Sequence, residues 1–87
     1  MELEKLRLFV ALAGEKSYSA AARKLFLSHS TLSRAVSSLE DELGVKLVLT
    51  NKHSISLTPA GKALADGASD LIRSEDELKR RVRAEKS

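Results

Sequence analysis

Arg34 and the short polar side chains ahead of it, His29, Ser30, Thr31 and Ser33, are the residues of this chain best suited to recognition chemistry. A guanidinium pairs bidentately with the O6/N7 edge of guanine or clamps a phosphate, and phosphate is the commoner destination. Ser and Thr hydroxyls reach phosphate or either kind of base edge, and the Thr methyl can meet the methyl of thymine. His29 can donate to a base acceptor whether neutral or protonated, which would tie binding to pH. The competing readings are structural. Arg34 can form a salt bridge to Asp41 or to a neighbouring helix, and His29 can be a plain exposed histidine at a helix start.

Two further groups offer related chemistry. Lys52 and His53 sit between two β-prone segments, where a turn would carry them to phosphates or the minor groove, or leave them solvated. Ser19 and Ala20 open an Ala-rich helix whose N-terminus can rest on a phosphate backbone. From Lys16 to Lys62 there are seven bases (Lys16, Arg23, Lys24, Arg34, Lys46, Lys52, Lys62) against three acids, Glu40, Asp41 and Glu42. Those acids are read as the solvated end of a helix. Adjacent carboxylates on a helix diverge, so a metal site is not expected.

Catalysis lacks its parts. Two histidines, no Cys, and no Ser with a base and an orienting acid leave nothing for nucleophilic chemistry, so the chain is not expected to be an enzyme. With 87 residues it is one small domain with one core, and with no Trp, one Tyr and two Phe that core must be built from Leu, Val, Ile and Ala. The absence of Cys fits a reducing cytosol. No apolar run has the length of a membrane span and no signal pattern opens the chain, so a cytoplasmic protein with no membrane partner is expected.

Helical spacing positions these groups. Leu3, Leu6, Phe9, Val10 and Ala13 form one stripe of a first helix, about Leu3 to Ala13, which Gly14 ends. Ser19 is read as the N-cap of a short second helix to Leu25, and Ser28 as the N-cap of a third. In that third helix Leu32, Val36, Leu39 and Leu43 share a buried stripe, while His29, Ser30, Ser33, Arg34 and Ser37 fall opposite. Gly44 supplies a left-handed stop. Val45 to Thr50 and Ile55 to Thr58 read as two strands joined by Asn51-Lys52-His53-Ser54. Thr58-Pro59 then opens a long helix by N-cap and first-turn proline. Along it Leu64, Ala68, Leu71, Leu78 and Val82 form an apolar seam interrupted by Glu75. Its first turns are expected to pack on the domain, and the stretch beyond Ala68 to pair with a second copy. The charged end from Lys79 to Ser87 is expected to fray.

Taken in order, Leu6, Phe9-Val10, Ser17-Tyr18-Ser19, Ala21-Ala22, Leu25, Leu27-Ser28, Ser30-Thr31-Leu32-Ser33-Arg34, Leu39-Glu40, Glu42-Leu43-Gly44, Leu47 and Leu57-Thr58-Pro59-Ala60-Gly61 resemble the N-terminal DNA-binding domain of LysR-type transcriptional regulators. The resemblance covers essentially the whole chain. It departs at Leu47-Val48-Leu49-Thr50, where the family usually shows Leu-Phe-x-Arg. The missing aromatic changes packing, and the missing Arg leaves Lys52 and His53 as the basic residues of the hairpin tip.

The expected fold is mainly α: a winged helix-turn-helix of three helices and a two-stranded wing over residues 1–58, then a long amphipathic linker and dimerisation helix over 59–87. The expected function is sequence-specific binding of double-stranded DNA in bacterial transcription regulation, through Ser19, Ala20, His29, Ser30, Thr31, Ser33, Arg34, Lys52 and His53. A homodimer would form through Leu64, Ala68, Leu71, Leu78 and Val82 and read an interrupted inverted repeat. The resemblance implies antiparallel linker helices, a tetramer for the intact protein, and a larger C-terminal effector-binding domain that has no counterpart here. No cofactor is expected in this chain; a small-molecule effector would belong to that missing domain. The competing class is a winged-helix module for protein association. The acid-free, small-residue face of the third helix, with no aromatics or Met, argues against it.

Overall fold

The computed structural model describes residues 1–86; Ser87, the last residue of the expected linker segment, lies outside the described residues. Four helices and one hairpin follow one another: α1 (Leu3–Ala13), α2 (Tyr18–Leu25), α3 (His29–Leu43), β1 (Val48–Thr50), β2 (Ile55–Leu57) and α4 (Pro59–Ala84). The chain is a mainly helical winged helix-turn-helix with a long final helix.

Leu6, Phe9 and Leu12 of α1 meet Leu32, Val36 and Leu39 of α3, with Leu47 and Val48 closing one side and Ala21 and Ala22 allowing α2 to approach closely. Leu12 is completely enclosed, deeper than the Leu3, Val10 and Ala13 of the expected stripe. Leu43 departs from its expected place and is exposed at the last turn of α3. There the helix has overrun the core, so a fourth apolar residue at regular spacing has nothing left to pack on.

Backbone geometry sets the turns. The N-cap of α2 is Ser17, not Ser19: its hydroxyl accepts the Ala20 N–H at 3.0 Å, which places Ser19 inside the first turn and exposes it. Phe26 closes α2 at φ 58°, a left-handed conformation that costs a non-glycine residue about 1–2 kcal/mol, and the residue is 95% exposed. Ser28 caps α3 by accepting the Thr31 N–H at 3.1 Å, and Gly44 ends it at φ 70°.

The hairpin is shorter than the alternation suggested. Val48, Leu49 and Thr50 pair antiparallel with Leu57, Ser56 and Ile55, while Val45 to Leu47 remain outside the ladder. Two further bonds moor it. The Ile55 N–H donates to the Lys16 carbonyl at 2.9 Å and the Thr58 N–H to the Leu47 carbonyl at 3.0 Å. Glu40 takes a part that the sequence reading missed. It is not a solvated helix end: its carboxylate accepts the Leu47 N–H at 2.8 Å and the Val48 N–H at 3.4 Å, and pairs with Lys46 at 3.7 Å.

Thr58 caps α4 by accepting the Gly61 N–H at 2.9 Å while donating to the Lys46 carbonyl at 2.7 Å. Gly61 lies against the Leu47 carbonyl with no room for a Cβ. Ala68, expected in an intermolecular seam, is 1% exposed and belongs to the chain's own core; Leu64 packs against that core as well. Leu71, Leu78 and Val82 stay open at 50%, 52% and 65%. The helix runs unbroken to Ala84 rather than fraying from Lys79. From Glu77 to Lys86 every side chain is exposed.

Candidate nucleic-acid interface

The N-terminal two turns of α3 present the recognition group. His29, Ser30, Thr31 and Arg34 are exposed and Ser33 is half-buried, and no acid occurs between Ser28 and Leu39. The Arg34 Nε donates to the Ser30 carbonyl at 3.3 Å, which leans the guanidinium back toward the helix start. Among the described residues Arg34 makes no ion pair with Asp41 or any other acid, so its Nη donors are free for a ligand. Thr31 is partly committed, its hydroxyl 2.8 Å from that of Ser28.

A cleft opens between the start of α2, the outer face of α3 and the hairpin. It is lined by Ser17, Tyr18, Ser19, His29, Ser33, Ser37, Glu40, Lys46, Val48 and the hairpin from Thr50 to Ile55. Five expected residues therefore converge on one concavity: Ser19, His29, Ser33, Lys52 and His53. Thr31 and Arg34 lie around the helix from it, beside Glu2, Glu4 and Lys5 of the chain start. Ser30 and Ala20 line neither groove.

Tyr18 was overlooked as part of the site. Its ring stands 5.1 Å from the His29 ring at 43°, a tilted aromatic pair that restricts the imidazole at the cleft edge. Burial and the nearby Glu40 carboxylate push the Tyr18 phenol up, so it remains a neutral donor. No sequence periodicity signals this contact, because it joins one helix start to the next. Asn51 was equally overlooked. Its Oδ1 accepts from the Ser54 N–H at 3.1 Å, the Ser54 hydroxyl at 2.8 Å and the His53 N–H at 3.3 Å, folding the tip that carries Lys52 and His53. An Asn opening a turn is the signal that could have found it.

The cleft carries Lys46, Lys52 and one carboxylate, Glu40, which already holds two N–H groups and Lys46. A rod-shaped polyanion fits such an edge, with helix N-termini and lysines toward phosphate and α3 toward base edges.

The family model described as bacterial regulatory helix-turn-helix protein, lysR family, matches residues 3–62. The chain belongs to the lysR family. It is a LysR-type helix-turn-helix DNA-binding domain. The AhcY transcriptional activator HvrB of Rhodobacter capsulatus is 43% identical over 89 residues, covering 98% of this chain and 30% of that protein. The regulator BenM of Acinetobacter baylyi is 37% identical over 78 residues, covering 90% of this chain and 26% of BenM. The chain thus spans less than a third of these relatives. Among solved structures, the CbnR DNA-binding domain in complex with DNA superposes with a TM-score of 0.93 at 33% identity, covering 97% of each chain. The BenM DNA-binding domain with catB site 1 DNA gives 0.90 at 34% identity, over 97% of this chain and 93% of that one. Within this lysR-family domain Val48 is buried in the core and Thr50 faces the cleft, so the departure from Leu-Phe-x-Arg alters one packing residue and one cleft residue.

Proposed function

We propose that this domain places the start of α3 in the DNA major groove and the hairpin tip along the adjacent backbone, reading sequence to regulate transcription. The observation that carries the reading is the exposed, acid-free start of α3 beside a cleft that also gathers Ser19, Lys52 and His53. The DNA complexes formed by the similar BenM and CbnR domains support it. Arg34 and His29 take base edges or nearby phosphates, Ser30, Thr31 and Ser33 allow close approach, and Ser19, Ala20, Lys52 and His53 hold the backbone. The work is binding, without catalysis or cofactor.

A symmetric dimer forms through the open flank of α4, residues Leu71, Leu78 and Val82, with Leu64 at its near end and Ala68 left to the core. It reads an interrupted inverted repeat, and the intact protein assembles as a tetramer whose further domain takes a small-molecule effector. The regulator works in the cytoplasm, on the nucleoid; among the described residues no helix is long and apolar enough to cross a membrane.

Fluorescence anisotropy tests the reading with two duplexes, a T/A-anchored interrupted inverted repeat and its scramble, at low and near-physiological salt. Tighter binding to the repeat that persists at higher salt is expected. Equal binding to both that salt erases would refute sequence reading. No binding at low salt would transfer the chain to protein association.

A further inference from the structure

Glu75 interrupts the apolar seam of α4, and the structure supplies a reason. The Arg7 guanidinium of α1 reaches across and pairs with the Glu75 carboxylate at 2.5 Å and the Asp76 carboxylate at 2.8 Å. All three side chains are partly shielded, and the guanidinium holds the Asp76 carboxyl below the usual carboxylate range. Apolar packing joins α4 to the domain as far as Ala68, and from Glu77 to Lys86 every side chain is exposed. Among the described residues the two-carboxylate clamp is therefore the last attachment between the helix-turn-helix and the helix that leaves it.

We propose that Arg7, through Glu75 and Asp76, fixes the direction in which α4 leaves the domain and so determines which half-site separation the dimer accepts. The inference rests on the dimeric DNA-reading function proposed above. Adding one base pair between half-sites rotates them by about 34° and moves them by about 3.4 Å. A dimer follows that change only if α4 swings relative to each helix-turn-helix. Packing at Gly61 and Ala68 holds the near end of the helix, and the far end swings about that point unless something holds it further out. The Arg7 Nη2 donates to two carboxylates on adjacent residues of α4, so it resists displacement of the helix toward either side. Arg7 touches neither the cleft nor the α3 face, so it is a positioning residue.

The test measures affinity of the whole chain for inverted repeats whose spacer is varied one base pair at a time, and for a single half-site. The wild-type chain is expected to prefer one spacer over its immediate neighbours. Arg7→Gln should flatten that preference by about two- to fivefold, the range open to a partly exposed ion-pair network, and leave single half-site affinity unchanged. Glu75→Gln with Asp76→Asn should flatten it equally, with circular dichroism confirming intact folding of each variant. A wild-type preference that Arg7→Gln preserves would overturn the clamp and leave the dimer standing. A flattening by Arg7→Gln that the paired acid variant does not share would also overturn it. Equal wild-type affinity for every spacer would overturn the clamp, and would sink the dimeric reading as well if that affinity equals the single half-site's.

Discussion

Arg34 and Lys52 are both exposed cations, yet their settings assign them different work. Arg34 is steadied by the Ser30 carbonyl at the helix start, whereas Lys52 stands on the turn organised by Asn51. A planar fork held at an exposed helix start can discriminate bases, and a flexible ammonium on a hairpin tip senses charge. Arg34→Ala is expected to reduce affinity for the preferred duplex by about 1–3 kcal/mol while changing the scramble less, so selectivity falls. Lys52→Ala should weaken both duplexes alike and reduce the salt slope by about one. Anisotropy titrations across salt concentrations separate the two; an Arg34→Ala variant that retains full selectivity would remove Arg34 from base reading.

The hairpin holds its place by polar contacts as much as by its three-residue strands. Glu40 lies 14% exposed with Lys46 beside it and two β1-side N–H groups donating to it. Charge-assisted bonds of this kind contribute about 1.5–3 kcal/mol, so Glu40→Ala should lower the melting temperature by several degrees, at about 4–8 °C per kcal/mol for a domain of this size. The hairpin tip should loosen with it, which limited proteolysis near Lys52 would register. Gly61→Ala acts at the other mooring, driving a methyl into the Leu47 carbonyl. Overpacking there is expected to cost about 1–3 kcal/mol, and calorimetry showing an unchanged melting temperature would contradict the close approach. These two positions also mark where sequence reading stops. The helices were legible from apolar spacing and from the Ser28, Gly44 and Thr58 punctuation, and the α3 face followed from being opposite Leu32, Val36 and Leu39. Glu40 read as solvated, Ser19 displaced Ser17 as cap, and Tyr18 escaped notice. The Glu40 and Tyr18 contacts depend on which element lies alongside, of which periodicity along one helix carries no record, while Ser17 and Ser19 are equally good caps by residue type.

The molecule measures 53 × 27 × 18 Å, long for its size because the 26-residue α4, about 39 Å of helix, outruns the core that holds its first half. A stretch of charged helix without packing gains little from propensity alone, so a partner surface would stabilise the turns beyond Asp76. Leu71, Leu78 and Val82 supply an apolar flank for one, and none of them is required by the chain's own core. Leu71→Asp therefore discriminates between a surface used for association and a helix that is merely long. It should leave the fold of the helix-turn-helix intact by circular dichroism, apart from the few tenths of a kcal/mol that Asp costs in a helix. Sedimentation velocity should show a dimer for the wild-type chain and a monomer for the variant. DNA affinity should then drop on the two-half-site duplex and hold on a single half-site, because each α3 face is complete within one chain and the proposed pairing of half-sites runs through α4. A variant that still sediments as a dimer would move the interface off this flank of α4.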